Sequence, residues 1–353
     1  MTEIAVFLPN WVGDVVMATP ALRALRRHFG AEVRIRGILR PYLTELLAGT
    51  DWLDELWPFD PKGQDRAVRR WPLVQRMRQA QIDLAVLLPN SLQTAVLAWL
   101  GGARRRLGYV RYGRGLLLTD RLYPVWQGRR VAAAPMVDSY LALAEAAGCA
   151  SESRRLELAV TPAEEQRGAA VWQELGLAHG AHVIALNTGG AHGAAKHWPS
   201  EHCAALARRI ADELDHQVLV LCGPGEQSAA REVVRLADRR QVVSLAEQPV
   251  GLGLTKACLQ RCRLLVSTDS GPRHIAAALG KPVVTLFGPT SPVWIANPTV
   301  ESVDVHMNLE CMPCARRVCP LGHHRCMREL GAERVLDAVR SVLHGRQTPV
   351  VAA

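Results

Sequence analysis

Short apolar segments alternate with longer amphipathic segments along almost the whole chain, and this alternation limits the possible folds most strongly. The first half contains four candidate strands: Ile4–Pro9, Val33–Leu39, Glu55–Phe59 and Leu84–Pro89. The second half contains five: Val183–Thr188, Val218–Gly223, Val242–Ala246, Leu264–Asp269 and Val283–Gly288. A strand-then-helix rhythm predicts parallel sheets covered by helices on both faces. The sequence therefore predicts an α/β protein with two Rossmann-like domains.

The domain limits follow from the same rhythm. Predicted helices separate the strands at Pro20–Phe29, Pro41–Ala48, Arg66–Ala80, Ser91–Leu100, Ser200–Leu214, Glu226–Ala237, Leu254–Cys262 and Pro272–Leu279. Thr161–Leu177 opens with a capping-box pattern and is predicted to bridge the two series. We expect domains at residues 1–165 and 166–345, with a final helix at Glu333–Leu343 and a frayed tail at 346–353.

Basic residues exceed acidic ones, 42 against 33, which gives a formal net charge of +9. The excess concentrates between Gly101 and Arg130, where eight arginines accompany one acid, Asp120: Arg104, Arg105, Arg106, Arg111, Arg114, Arg121, Arg129 and Arg130. This segment is either a solvated surface or the binding surface for a phosphorylated substrate, an acidic lipid surface or nucleic acid. Aromatic residues are only 5% of the chain. We expect no stacking platform among the arginines and no nucleic-acid partner.

The sequence lacks the signatures of several protein classes. No apolar run is long enough to span a bilayer, and the N-terminus does not resemble a signal peptide, so we expect a cytoplasmic protein. The dinucleotide fingerprint, the P-loop and the hydrolase nucleophile elbow are all missing. An Asp-x-Asp triplet is missing too, so a sugar-nucleotide enzyme of this sequence would not depend on a carboxylate-bound divalent metal.

Ligands bind at the carboxyl ends of strands in open parallel sheets, so the loops at those ends hold the candidate site residues. Asp14 follows the first strand and a tight turn at Gly13. It is either a first-turn helix acid or a general base that projects into a crevice. In the first case the carboxylate only stabilises the helix start.

A glycine-rich loop follows the strand that ends near Asn187. Gly189, Gly190 and Gly193 can expose backbone N–H groups, and Lys196 supplies a positive charge before the next helix. This combination is typical of a phosphate site.

Two further strand-end loops carry polar residues. Asp269, Ser270 and Gly271 form a turn before a helix whose first turn contains His274, which is either an anion-binding residue or a buried helical histidine. Glu226 follows a Gly-Pro-Gly turn and is either a ligand for a ribose diol or a first-turn helix acid.

Nine cysteines are expected to be free thiols or metal ligands in a reducing compartment. Four of them lie close together with two histidines between: Cys311, Cys314, Cys319 and Cys326. The set could hold zinc or an iron–sulfur cluster. The spacing matches neither a zinc ribbon nor a ferredoxin, which favours reduced thiols or a disulfide in a structural loop.

Several motifs taken together resemble the ADP-heptose:lipopolysaccharide heptosyltransferases of glycosyltransferase family 9. They are LPNWVGDVVMATPALRALR, KHWP, TDSGPRHIAAALGKPVVTLFGPTSP and CPLGHHRC, and the resemblance spans about residues 4–345. It implies a GT-B fold, in which two Rossmann-like domains face a central cleft. The N-terminal domain would bind the acceptor and the C-terminal domain the sugar nucleotide.

The resemblance also implies residue roles. Asp14 would be the catalytic base. Donor binding would fall to Thr188, Gly189, Lys196, Glu226, Asp269, Ser270, Gly271 and His274, with Glu226 on the ribose and Lys196 on phosphate. Arg104, Arg106 and Arg111 become candidates for binding an anionic acceptor. No cofactor and no metal ligand is implied.

The implied reaction is an inverting, metal-independent transfer of L-glycero-D-manno-heptose from ADP-heptose to the first heptose of the lipopolysaccharide inner core. The partners would be ADP-heptose, the lipid A-linked core and the anionic membrane surface beside it. Other heptosyltransferases of the family, including one acting on protein, and a GT-B nucleotide-sugar epimerase are the alternatives.

Overall fold

The computed structural model describes residues 3–128, 130–177, 182–187, 189–190 and 193–345, with only the backbone of Arg130. The chain divides into two compact units. Unit 1 ends at Leu158 and unit 2 begins at Ala159, except that Val293–Asn297 belong to unit 1. The boundary predicted after residue 165 thus falls within a helix of unit 2, and the predicted tail at 346–353 lies outside the described residues.

Unit 1 contains a six-stranded parallel sheet in the order β3-β2-β1-β4-β5-β6. The strands are β1 Glu3–Phe7, β2 Arg34–Leu39, β3 Glu55–Pro58, β4 Leu84–Leu87, β5 Arg105–Tyr109 and β6 Asp120–Leu122. A small antiparallel hairpin follows, formed by β7 Trp126–Gln127 and β8 Arg130–Val131.

The helices of unit 1 connect the strands of the sheet, and the last one follows the hairpin. They are α1 Val12–Met17, α2 Thr19–Phe29, α3 Thr44–Leu47, α4 Arg70–Ala80, α5 Leu92–Leu100 and α6 Met136–Ala146, with 3-10 turns at Pro41–Leu43, Arg66–Val68 and Arg114–Leu117. Helix α2 has a proline in its first turn, and its C-cap residue is Gly30, whose positive φ of 70° is readily adopted by glycine. Met77 of α4 and Ala98 of α5 are fully buried in the core with the apolar side chains of β4.

Unit 2 repeats the architecture, with a parallel sheet in the order β11-β10-β9-β12-β13-β14. The strands are β9 Val183–Asn187, β10 Gln217–Leu221, β11 Val242–Ser244, β12 Leu264–Thr268, β13 Val283–Phe287 and β14 Ser302–His306. Every residue of β9, β12 and β13 is buried, so both faces of the sheet centre are covered. This explains their continuous apolar runs.

The helices of unit 2 are α7 Pro162–Glu174, α8 Ser200–Leu214, α9 Gln227–Ala237, α10 Leu252–Arg261, α11 Gly271–Ala278, α12 Arg325–Arg328 and α13 Ala332–Leu343. One 3-10 turn lies at Ala194–Lys196, and another, Pro292–Ile295, begins in unit 2 and continues into the segment assigned to unit 1. The predicted capping box of α7 is confirmed: Thr161 Oγ1 accepts from the Glu164 N–H, and the Glu164 carboxylate accepts from the Thr161 N–H. Helix α13 packs against α8 and β14. Within the described part of the chain, no helix has the length and apolar character needed to cross a bilayer.

Candidate active site

The centre of the unit 2 sheet holds two neighbouring strands that are not consecutive in the chain, β9 and β12. Where the strand order reverses in this way, the loops at the carboxyl ends diverge and leave a crevice for a ligand. The loop after β9 carries Gly189, and the loop after β12 carries Asp269 and Ser270. Thr188 lies outside the described residues.

Hydrogen bonds hold these two loops together. The Asn187 amide donates to Ser270 Oγ at 2.9 Å and to the Gly189 carbonyl at 3.2 Å. Thr268 Oγ1 donates to the same carbonyl at 2.7 Å. Ser270 is the N-cap residue of α11, but its hydroxyl makes no cap bond and contacts Asn187 instead. The loop positions are therefore fixed by the strand ends beneath them.

A nearly buried ion pair connects the two loops. Lys196 Nζ lies 2.7 Å from Asp269 Oδ2 and donates to the Asp269 carbonyl at 2.6 Å, and their side chains are 11% and 12% exposed. Thr290 Oγ1 also donates to Asp269 Oδ2, at 2.7 Å. Lys196 is thus held at the crevice by a carboxylate that is itself oriented by Thr290.

The environment of Asp269 keeps its carboxyl ionised. Burial would raise the pKa of Asp269, but the Lys196 charge and hydrogen bond, assisted by Thr290, hold it below its usual value. The site therefore contains a fixed negative and a fixed positive charge side by side. An incoming polyanion would interact with the positive one.

Glu226 reaches the same crevice from the loop after β10. Its carboxylate accepts from the Gly223 N–H at 2.8 Å. A Cβ built on Gly189 would lie 2.4 Å from Glu226 Oε1, so only glycine permits this approach without displacing the carboxylate. The structure therefore brings Glu226 against the loop of β9.

His274 lies buried in the first turn of α11, which Gly271 begins. Burial, with the neighbouring Arg273 charge, lowers the pKa of His274 to about 3. Its Nδ1 has no hydrogen-bond partner among the described residues. The imidazole is therefore neutral at physiological pH and can act only as a neutral hydrogen-bonding group.

The cysteine segment packs against the Lys196 loop. His324 Nε2 lies 2.8 Å from the Ala195 carbonyl oxygen. The Ala195 N–H donates to the Arg317 carbonyl oxygen at 3.0 Å. One small cavity is lined by Cys311, Cys314, Cys319 and Cys326, all of them free thiols. In residues 3–345, outside the gaps named above, no three Cys, His, Asp or Glu side chains are arranged to hold a metal ion. The two hydrogen bonds connect the segment to the Lys196 loop.

In unit 1, Asp14 lies half-buried in the first turn of α1, after the carboxyl end of β1. Trp11, the N-cap residue, makes no side-chain cap bond. The hydroxyl of buried Tyr140, on α6, donates to the Asp14 carboxylate; burial and this carboxylate raise the pKa of Tyr140 well above its usual value. Nothing in the sequence pattern indicated this partner. It fixes the carboxylate at the edge where ligands bind in parallel sheets.

The three candidate acceptor arginines lie at different places. Arg104 precedes β5 and pairs with Asp83 at 3.1 Å. Arg106 donates to the Leu117 and Ala103 carbonyls, each at 2.6 Å. Arg111 follows the carboxyl end of β5, the sheet edge at which Asp14 follows β1. Of the three, only Arg111 lies beyond a strand end on the Asp14 side.

Arg111 and the nearby Arg114 have very different surroundings. The Arg111 guanidinium lies 4.8 Å from the ring centre of Tyr112, so one aromatic ring does contact an arginine of this segment, where no stacking platform was expected. Arg114 is fully buried and donates to the Tyr109 carbonyl and to Asn90 Oδ1. Burial, then Arg111, lowers the pKa of Arg114 to about 10. Arg114 is thus a structural cation, whereas Arg129 lies outside the described residues.

Curated relatives cover nearly the whole chain. Lipopolysaccharide heptosyltransferase 2 of Escherichia coli K12 is 26% identical, with 97% of this chain and 98% of the relative covered. Lipooligosaccharide heptosyltransferase 2 of Haemophilus ducreyi is 28% identical, with 97% and 99% covered.

Solved structures agree over the same length. The E. coli ADP-heptose lipopolysaccharide heptosyltransferase II structure has a TM-score of 0.76 at 25% identity, covering 98% of this chain and 99% of that one. A glycosyltransferase family 9 structure from Veillonella parvula has a TM-score of 0.80 at 22% identity, covering 98% and 97%. Together with the two parallel sheets, these likenesses confirm the expected α/β fold of the GT-B type.

The sequence model of glycosyltransferase family 9 (heptosyltransferase) matches residues 70–325, which include the Lys196, Glu226 and Asp269 loops. That span is well over half of the chain. The expected resemblance is confirmed, and the chain belongs to glycosyltransferase family 9, the heptosyltransferases.

Proposed function

We propose that this enzyme transfers L-glycero-D-manno-heptose from ADP-heptose to the first heptose of the lipopolysaccharide inner core. The observation that carries the proposal is the Lys196–Asp269–Thr290 cluster beside the Gly189 loop, because it offers one fixed ammonium at a crevice between strand ends. The full-length similarity to heptosyltransferases 2 supports the choice of donor and acceptor.

Unit 2 would bind the donor. Lys196 and the backbone N–H groups of the Gly189 and Gly271 turns would bind the diphosphate, and Glu226 would accept hydrogen bonds from the ribose hydroxyls. His274 would donate or accept a hydrogen bond as a neutral ring near the sugar. ADP gains negative charge as it leaves, so a preorganised ammonium stabilises the transition state more than the ground state.

Unit 1 would bind the acceptor and supply the base. The acceptor hydroxyl oxygen attacks the anomeric carbon, the bond from that carbon to the diphosphate oxygen breaks, and ADP takes the electron pair. The hydroxyl proton passes to the Asp14 carboxylate, which Tyr140 orients. A single in-line displacement of this kind inverts the anomeric configuration.

The diphosphate charge would be neutralised without a divalent metal. Lys196 already supplies one positive charge at the crevice, and the chain has no Asp-x-Asp triplet to anchor a metal–diphosphate complex. The acceptor in this scheme is linked to lipid A, so the reaction takes place at the cytoplasmic face of an anionic membrane, with Arg111 among the residues facing the core.

Lipopolysaccharide profiling of a strain lacking the gene tests the proposal. A core truncated after its first heptose is the expected result, whereas an intact core refutes the assignment. A core lacking every heptose, or only a later branch, would instead indicate heptosyltransferase I or III activity. Without any acceptor, conversion of ADP-heptose to an epimeric sugar nucleotide would indicate an epimerase, and release of ADP with free sugar would indicate a hydrolase.

A further inference from the structure

The outer edge of unit 1, beside strand β6, exposes an unusual number of apolar side chains. Five of them, here called the edge patch, are 58% to 90% exposed: Tyr112, Leu116, Tyr123, Val125 and Trp126. They come from one stretch of chain that leaves the carboxyl end of β5, forms the turn Arg114–Leu117 and the edge strand β6, and enters the β7–β8 hairpin. The proposed chemistry uses none of these five side chains.

Arginines are interspersed with the edge patch along the chain. Residues 101–128 contain six arginines and one acid, Asp120, which pairs with Arg105 at 2.8 Å. Arg111 and the exposed Arg121 make no ion pair within the described part of the chain. Among the described residues, this stretch of chain therefore carries unpaired positive charge together with apolar side chains that are exposed to solvent.

This combination distinguishes a bilayer surface from other partners. Tryptophan and tyrosine favour the headgroup region, where the ring is partly buried and its polar atom stays wet. Aliphatic side chains add affinity by entering the acyl boundary, and arginines near the surface are attracted to anionic lipids. Leu116 is 90% exposed, an exposure that an aliphatic side chain loses when it enters the acyl boundary.

We propose that the edge patch docks unit 1 on an anionic lipid bilayer, with Leu116 and Val125 reaching the acyl boundary, Trp126 lying in the headgroup region and the neighbouring arginines binding lipid phosphates. The proposal deepens the proposed function, on which it rests for the lipid-anchored acceptor. The membrane surface then holds the enzyme where that acceptor is concentrated. The sheet edge that carries Asp14 would recognise the core sugars, and the edge patch would not take part in that recognition.

Cosedimentation with vesicles tests the edge patch without any heptosyl acceptor. The double variant Val125→Ser, Trp126→Ser removes two patch residues that are 74% and 58% exposed. Its matched control is Val318→Ser, Trp71→Ser, which removes the same residue types at 70% and 57% exposure elsewhere on the chain. Unchanged thermal midpoints establish that both variants fold.

The full-length enzyme should bind vesicles containing phosphatidylglycerol and bind phosphatidylcholine vesicles far more weakly. The patch variant should partition at least about tenfold more weakly, and the control should match the parent. Equal partitioning of both variants, no binding to anionic vesicles, or tighter binding to single-stranded RNA would each overturn the proposal.

Activity on two acceptors separates this idea from the proposed function. The patch variant should keep parental turnover on a heptose-bearing core freed of its acyl chains and lose turnover only on acceptor embedded in vesicles. If the parent transfers heptose to neither acceptor, the proposed function fails while the vesicle result stands. If the patch variant is unimpaired on embedded acceptor, the docking role fails while the transferase assignment stands.

Discussion

Replacing Lys196 with methionine should damage both folding and catalysis, and the two effects can be measured separately. The substitution leaves Asp269, whose side chain is 12% exposed, without its ammonium partner. Removing one partner of a buried pair costs about 3–5 kcal/mol of unfolding free energy. Loss of the charge facing the departing ADP should cost a further 2–4 kcal/mol, roughly, of transition-state stabilisation, seen as a lower kcat and a higher donor KM.

Lys256 provides the matched control. It is a fully buried lysine in the same unit that lies 3.1 Å from Glu164 Oε2 and donates to the Ala159 carbonyl at 2.8 Å, away from the crevice. Lys256→Met should lower the unfolding free energy about as much but leave kcat and KM within about threefold of the parent. The double variant Lys196→Met, Asp269→Asn should recover much of the stability and none of the turnover.

The pH dependence gives an independent check on the pair. In the parent, the folded-state pKa of Asp269 lies below its ordinary value of 3.8, so the pair stabilises fully above that pH and weakens as pH falls through the folded value. In Lys196→Met, burial acts without the ammonium and raises the pKa. The variant's stability deficit should therefore shrink on acidification from pH 7 towards 4. Urea unfolding and steady-state kinetics measure both effects. Unchanged kinetics in the destabilised variant would refute the donor role of Lys196.

Three further outcomes are expected. Asp14→Asn should leave ADP-heptose affinity within a few-fold but lower turnover roughly 10²–10⁴-fold, and near-parental turnover would return Asp14 to a helix-start role. Tyr140→Phe should lower kcat about tenfold with donor KM unchanged, because it removes only the hydroxyl that orients Asp14; a changed donor KM would contradict this. Activity should survive exhaustive EDTA; loss restored by Mg²⁺ would contradict a metal-independent diphosphate site, and parallel metal analysis separates that outcome from unfolding at Cys311–Cys326.

All nine predicted strands are present, and the central ones, which are covered on both faces, appear in the sequence as nearly continuous apolar runs. The strands of the two parallel sheets that the sequence did not reveal lie at one end of each sheet: β5 and β6 in unit 1 and β14 in unit 2. Strand β5 begins with two arginines, and its segment was predicted to be either a solvated surface or a surface that binds an anionic partner. Strand β14 alternates valine with polar residues at the edge of its sheet. Local hydrophobicity cannot distinguish such segments from surface loops.

The sequence predicted which loops carry the site residues, but it did not predict which of those residues contact one another. Strand-end positions were enough to single out Lys196, Glu226 and Asp269, since parallel strands end at one sheet edge. The ion pair between Lys196 and Asp269 depends on β9 lying beside β12, which is a property of the strand order. The same reasoning explains why Tyr140, far along the chain from Asp14, was not anticipated.

A reconstituted reaction tests the central claim most directly. Purified enzyme is incubated with ADP-heptose and an inner-core acceptor that carries a single heptose, and ADP release is measured together with the mass and anomeric configuration of the product. We expect one ADP released per heptose added, inverted configuration, and no release when the acceptor is omitted. Acceptor-independent ADP release, or an acceptor of unchanged mass, would contradict the account.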